Sequence, residues 1–471
     1  VLAAASCAKD DTQSGGEETA GPVIVNASPA AIGGEIILKL KTEASGIVEK
    51  SRAQGVSKGS GIDEIDRILN TVNTVRFERL FPDGGRFEER TRREGLHLWY
   101  YAKYDPSVPT SEMASLLSSC KDIEIIEYSL AAETSDHRRA ASPAAGAQSV
   151  TRAIADEVRN VPFPFNESER SQQMQWHYNN TGNIFAQTSQ LGADANVYAA
   201  WQLSTGNPDV IVAVVDQGVK YDHEDLAANM WTNTAELNGS EGRDDDSNGY
   251  ADDIHGFNFV DNTTLTISTK GDAPDHGTHV AGTVAAVNNN GTGVAGIAGG
   301  SGRGDGVKIM SCQIMGNSEG AKTSNKNVKA FEYAWTNGAV IAQNSWGYLL
   351  EDSDGNPIPP EQFEKEWNQG FGSMRDAIDT FIRSAATKNP DSPLQGGLVI
   401  FAAGNDGDVY GDAAVYPAAY GPVIAVGSMD WCFLPAYYTD YGSWVDITAP
   451  GGDFISSDGY GDGGVLSTIL C

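Results

Sequence analysis

Basic side chains are scarce in this sequence. Lys and Arg number 32 against 63 Asp and Glu, a net charge of −31 over 471 residues. Proteins that bind nucleic acid carry basic patches, so this balance argues against that class. It suits a soluble exported protein, and clustered acids suit calcium. Cysteine is scarce too: five residues, at 7, 120, 312, 432 and 471, with no Cys-x-x-Cys pair and no metal-site spacing. That argues against a disulfide framework. Cys312 lies in the apolar run 307–315 and reads as a free core thiol. No stretch approaches the length of a membrane-spanning helix. The length suffices for two or three domains and a full-size core.

The most informative stretch present is Asp275-His276-Gly277-Thr278-His279-Val280-Ala281-Gly282-Thr283-Val284-Ala285-Ala286-Val287. Beyond its first residues it is small, apolar and uncharged, the pattern of a buried helix. His276 stands at the mouth of that helix, where the positive end of the dipole favours a neutral imidazole able to accept a proton. Alone, His-Gly-Thr-His fits a core helix with two satisfied histidines as well as it fits a general base. Helical zinc motifs place two His at i and i+4 with a Glu between. The spacing here is i to i+3 without Glu, so zinc is the weaker reading.

Two further stretches bear on this choice. Residues 209–215 form an almost continuous β-branched run, as in strands buried on both faces of a parallel sheet. The run ends in Asp216-Gln217-Gly218, an acid at the carboxyl edge where open α/β sheets place their sites. A second run, 397–402, ends in Ala403-Gly404-Asn405-Asp406-Gly407. An acid, a His and an Asn amide, each at an element end, suit acyl transfer. The His needs an acid to fix its tautomer, and an oxyanion needs a fixed donor.

In that order the three motifs resemble the Asp, His and oxyanion-Asn motifs of the subtilisin-like serine peptidases, the subtilases. The resemblance runs from about Trp176 to the end. It implies an α/β fold, a parallel sheet flanked by helices, and peptide-bond hydrolysis. His276 would be the base, Asp216 its orienting acid and Asn405 the oxyanion donor. It also implies that Ser345, Trp346 and Gly347 run along the cleft, with Ala403 and Gly404 lining the opposite wall. Gln217 stands where the family usually has Thr or Ser. The family's nucleophile motif, Gly-Thr-Ser followed by small residues and a Pro, is absent from the sequence. Ser373 reads as a capping box with Asp376, Ser428 ends a strand, and 465–470 resembles the strand ahead of the nucleophile. The expectation is a fragment whose nucleophile lies beyond Cys471 and which is inactive alone. A non-catalytic surface binding protein that keeps the fold is the alternative.

The remaining chain divides as follows. Residues 1–7 read as the end of a signal peptide running into a lipobox Cys, Cys7. With the acids behind it, Cys7 implies a lipid anchor at the outer membrane or cell surface of a Gram-negative bacterium. Residues 8–33 read as a flexible tether. Residues 34–131 read as strand, helix, strand, strand, helix, strand: 35–40, 62–69, 72–80, 96–104, 110–117 and 123–128. This is a ferredoxin-like α+β arrangement. Before a subtilase domain such a unit is the propeptide, an intramolecular partner that assists folding and blocks the cleft. Residues 132–170 read as a linker and 171–471 as the catalytic domain. Between the Asp and His motifs, Asp244 to Asp253 alternates acids and an Asn before a Gly, like the first half of a calcium loop. Asp244, Asp246, Asn248 and Asp253 are its expected ligands, with His255 where the final Glu belongs. The expected partners are protein or peptide substrates.

Overall fold

The computed structural model describes residues 21–27, 31–53, 59–83, 85, 88–130, 162–182, 189–266, 275–316, 325–348, 358–386, 394–407, 411–453 and 463–469. Cys7 and most of the 132–170 linker lie outside these.

The N-terminal unit contains β1 (Val23–Val25), β2 (Glu35–Leu40), α1 (Thr42–Ala53), α2 (Asp63–Thr71), β3 (Arg76–Arg79), α3 (Glu88–Arg93), β4 (Trp99–Lys103), α4 (Thr110–Leu117) and β5 (Ile123–Tyr128). The sheet order is β1-β5-β2-β4-β3, antiparallel except for the parallel β1–β5 pair. Strands β5-β2-β4-β3 with α2 and α4 give the expected ferredoxin-like core. Three elements are additions. Helix α1 buries only Ala44, Ser45 and Val48, and α3 only Thr91, so neither shows a strong apolar period. Strand β1 corrects the tether boundary: Val23 to Val25 are paired with 125–127, so part of 8–33 belongs to the sheet.

The second unit contains α5 (Glu169–Met174), α6 (Val197–Ala200), β6 (Ile211–Asp216), α7 (Thr234–Leu237), β7 (Gly256–Asn258), β8 (Thr263–Thr264), α8 (Asp275–Ala285), β9 (Lys308–Gln313) and α9 (Asn325–Thr336). It continues with β10 (Ile341–Asn344), α10 (Pro360–Gln369), α11 (Gly372–Ser384), β11 (Leu398–Ala402), β12 (Ile424–Met429) and β13 (Ile447–Pro450). Its sheet runs β13-β12-β11-β10-β6-β9-β7-β8, parallel throughout except the β7–β8 hairpin. The chain leaves β6 toward β7 and β9 on one side and later fills β10 to β13 on the other. The carboxyl end of β6 is therefore a topological switch point, where sheets of this kind hold their sites. Residues Val212 to Asp216 are all buried, as the β-branched run predicts. Cys312 is a free, fully buried thiol in β9, and burial pushes its pKa up.

The linker boundary also moves. Phe163 and Phe165 pack edge-on against Trp201 at 5.9 and 4.8 Å, and Glu167 is buried. Residues 162–170 thus belong to the second unit, held by two rings that alternate with prolines.

The units meet across α9 and α11. Ile37, Trp99 and Tyr101 join one core cluster with Val328, Phe331 and Met374. The Ser373–Asp376 capping box does not form: no side chain of α11 caps its own first turn. Ser373 N–H and Oγ–H both donate to the Glu127 carboxylate, and Asp376 accepts from Trp99 Nε1 at 3.1 Å. Both residues of the expected local cap are used by the other unit.

Candidate active site and acidic loop

Asp216 ends β6, wholly buried, and His276 opens α8, two-fifths exposed. Their side chains meet, with His276 Nδ1 2.7 Å from Asp216 Oδ1. The Gln217 N–H also donates to Oδ1 at 2.6 Å. No hydrogen bond reaches Asp216 Oδ2 among the described residues. The approach of α8 depends on Gly277. A Cβ there would lie 2.2 Å from Gly218 O, so any side chain would push the helix, and His276 with it, off the β6 turn. The Lys220 N–H donates to Thr278 Oγ1 at 3.0 Å and fastens the same turn to the helix.

The two histidines of the motif are unlike. His279 Nε2 lies 2.9 Å from Val465 O, and burial lowers its pKa. Ser467 Oγ donates to His279 O, and Thr468 Oγ1 to Thr278 O, so residues 465–468 lie along α8. This stretch forms no strand ladder among the described residues, contrary to expectation. His177, also buried nearby, is pushed down to about 3 by burial and then by His279. His177 and His279 are therefore neutral core groups. His276 alone of the three carries a carboxylate on one ring nitrogen and an exposed face.

Asn405 lies just past the end of β11, two strands from β6, on the same carboxyl edge of the sheet. Ala403 is buried and its N–H donates to Val426 O at 2.8 Å. Ser345 and Gly347 are half-buried beyond β10. The Trp346 side chain does not project outward. It is buried against Phe401 and Tyr348, at ring separations of 5.1 and 5.7 Å, and donates from Nε1 to Asn344 Oδ1. Any wall that residues 345–347 form is thus built from backbone rather than indole. None of the four serines considered above bonds to the His276 ring in the described contacts. Ser345 Oγ accepts from Gln343 Nε2, Ser373 Oγ donates to Glu127, Ser428 Oγ meets Tyr438 OH and Ser467 Oγ donates to His279 O.

The acidic loop is a correction in part. Oxygen atoms of Asp244, Asp246 and Glu236 come within 4.8 Å of one another. Glu236, on the short helix α7, was hidden from the loop pattern by its distance along the chain. Its Oε1 accepts the N–H groups of Asp245 and Asp246, and its Oε2 that of Asp252. Asp253 does not join the set. It is fully buried, and Tyr333 OH, Asn248 Nδ2 and Asn233 Nδ2 donate to its two oxygens at 2.7, 2.9 and 2.9 Å. Burial raises its pKa to about 7. Asn248 is committed to the same inner set, since its Oδ1 accepts the Tyr250 N–H. His255 turns Nδ1 to Trp231 O, outside the acid set. Three hard carboxylate oxygens converging from two elements suit a hard divalent cation.

Residues 207–469 match the Subtilase family. The chain is 29% identical over 258 residues to the "Thermophilic serine proteinase" of Bacillus sp. (strain AK1), covering 55% of this chain and 48% of that protein. It is 28% identical over 330 residues to the "Extracellular protease" of Xanthomonas campestris pv. campestris, covering 69% and 48%. It is 31% identical over 261 residues to "Halolysin" of Haloferax mediterranei, covering 55% and 38%. The chain thus spans about half the length, or less, of these curated relatives. Among solved structures it is similar in fold to fervidolysin from Fervidobacterium pennivorans, with a TM-score of 0.53 at 16% identity, over 93% of this chain and 51% of that one. With the family match covering more than half of its residues and the sheet to go with it, the chain belongs to the subtilase family.

Proposed function

We propose that this chain carries the substrate cleft and most of the catalytic groups of an exported serine endopeptidase. The observation that carries the reading is the 2.7 Å contact of His276 Nδ1 with the buried Asp216, at the switch point of the sheet. In the reaction, a Ser Oγ adds to the substrate carbonyl and gives its proton to His276 Nε2. The carbonyl electrons move to oxygen, which receives the Asn405 amide donor. The imidazolium, held by Asp216, then protonates the departing amine as the C–N bond breaks, leaving an acyl-enzyme for water to hydrolyse. The Ser motif of the family is not in residues 1–471, and the reading places it in the chain that follows them.

The N-terminal unit acts as the propeptide, an intramolecular partner docked on α9 and α11. Asp244, Asp246 and Glu236 hold a structural calcium, which supplies charge neutralisation to the loop. Cys7 carries the lipid that anchors the protein at the outer membrane or cell surface, with protein or peptide substrates outside. Two of the similar proteins are named as extracellular, which accords with export.

The test uses the product of the full reading frame. His276→Ala is expected to cut casein hydrolysis by several orders of magnitude, as loss of a triad member does in subtilisin, the reference example for this chemistry. Residues 1–471 alone are expected to take up no fluorophosphonate. Stoichiometric labelling of one serine, abolished by His276→Ala, would put the nucleophile inside this sequence. Unchanged hydrolysis in His276→Ala would remove the peptidase reading and leave a binding module.

A further inference from the structure

Asn405 sits on a turn rather than a strand, yet an oxyanion donor must be held to within about 0.5 Å of its working place. On the sheet side, the Ala403 N–H bond to Val426 O ties the turn to β12. On the other side a strap, residues 438–440, brackets Asn405. The Asp440 N–H donates to Gly404 O at 3.1 Å, and the Gly407 N–H donates to Tyr438 O at 3.1 Å. The strap is itself anchored, since Thr439 Oγ1 accepts the Ser428 N–H at 2.9 Å and donates to Asp440 O at 3.1 Å.

Asp440, a residue only 2% exposed, adds its side chain. Gly404 has φ of +127°, and a Cβ built on it would lie 1.9 Å from Asp440 Oδ2. The carboxylate therefore fills the space that a side chain at 404 would take, in a backbone conformation that only glycine adopts readily. With the wedge in place and Gly404 O bonded, the peptide joining Gly404 to Asn405 has little freedom to rotate. We propose that Asp440 is the positioning residue of the oxyanion donor, its wedged carboxylate and main-chain N–H together fixing the direction of the Asn405 amide.

This inference rests on the peptidase reading. The test uses the product of the full reading frame, with rates expressed per active site titrated by a fluorophosphonate. Asp440→Ala is expected to lower kcat roughly 10- to 100-fold, less than the 10²–10³ that loss of the oxyanion donor itself costs, with KM little changed. Asp440→Asn, which keeps the shape of the wedge, should restore most of the rate. In an Asn405→Ala background, adding Asp440→Ala should cost nothing further, because the two act as a unit. Wild-type kcat in Asp440→Ala would overturn the proposal, and so would an equal loss in both backgrounds. Failure of both position-440 variants to give titratable sites would assign Asp440 to folding and also overturn it. An inactive wild type would instead remove the peptidase reading, a result distinct from an active enzyme indifferent to residue 440.

Discussion

The two faces of the N-terminal sheet differ in composition, and the difference separates what folds the unit from what docks it. Strand alternation divides most of the residues, and a register shift between Lys39 and Leu40 brings Ile123 to the same face as Ile126. On one face Ile36, Leu38, Leu40, Phe77, Tyr100, Ala102, Ile123 and Ile126 pack with Ile65, Leu69, Met113 and Leu117 of the unit's own helices. The other face mixes aromatic and charged residues. Ile37, Trp99 and Tyr101 bury themselves on α9 and α11. Glu78 meets Lys329 at 3.6 Å, Glu127 meets the start of α11, and Lys39 meets Asp376 at 3.5 Å beneath the Trp99 ring. An all-apolar face closes a core that never needs water. A face of rings and charges can be solvated when uncovered.

Truncating one large residue on each face should separate the two roles. Leu38 and Trp99 are both fully buried. Leu38→Ala should cost roughly 2–5 kcal/mol and Trp99→Ala roughly 3–5 kcal/mol, the usual range for such cavities. The location of the loss should differ. Hydrogen exchange on the whole chain should show Leu38→Ala releasing the amides of β2 and β4. Trp99→Ala should spare those amides and release Phe371 and Ser373, whose N–H groups are bonded to Asn26 and Glu127 across the contact. Equal loosening of both regions by both variants would mean that the faces form one cooperative core.

Charge on the docking face should make the contact sensitive to pH. Glu127 is pushed up to about 7, chiefly by burial, which outweighs the two Ser373 donors that favour its ionised form. Asp376 adds to the rise and Arg375 opposes it. The docked pKa lies above the free value near 4.5. Its stabilisation of the docked state is therefore complete below about pH 4.5 and is lost as pH rises toward 7. Docking should weaken by an amount on the order of a few kcal/mol across that window, then level off. Glu127→Gln should flatten the profile. A wild-type profile as flat as the variant's would show that the carboxylate stays ionised in the contact.

Much of this was legible in the sequence, and the misses share a cause. Asp216 and His276 could be singled out because each stands at one end of a long apolar run, and the fold brings the two side chains together. The strands of the inner face were found because a short apolar run needs no knowledge of its partner. Ser373 and Asp376 were misread because a capping box is a local pattern, while Ser373's actual partner, Glu127, lies 246 residues away in sequence. Glu236 meets Asp244 and Asp246 from another element, which a run of acids does not show, and neither do the burial of Asp253 and its three neutral donors. Trp346 looked like a cleft residue from its motif. Only packing reveals that its ring faces Phe401.

The smallest expected effect lies where the docking unit touches the acidic loop. Gly85, with φ of +47°, approaches Ser247 so closely that a Cβ on it would lie 1.8 Å from Ser247 O. Gly249 is near Pro82 in the same contact. Ser247 stands between Asp246 and Asn248, so a calcium ion that orders the loop would also order the ground on which Gly85 rests. Chelation should lower the melting temperature if the loop holds calcium, because a ligand specific to the folded state adds about 2.7 kcal/mol at a hundredfold excess over its dissociation constant. Only a fraction of that should reach the docking face, read as faster exchange at Phe371 and Ser373 in chelator and no change at β2. Gly85→Ala should cost about 1–2 kcal/mol through its left-handed backbone alone. By lifting the turn off Ser247, it should also abolish the effect of chelator at Phe371 and Ser373. If chelator shifts the melting temperature but leaves those amides alike in wild type and variant, the loop binds calcium without sensing the docked unit. If it shifts neither, the three acids hold no ion.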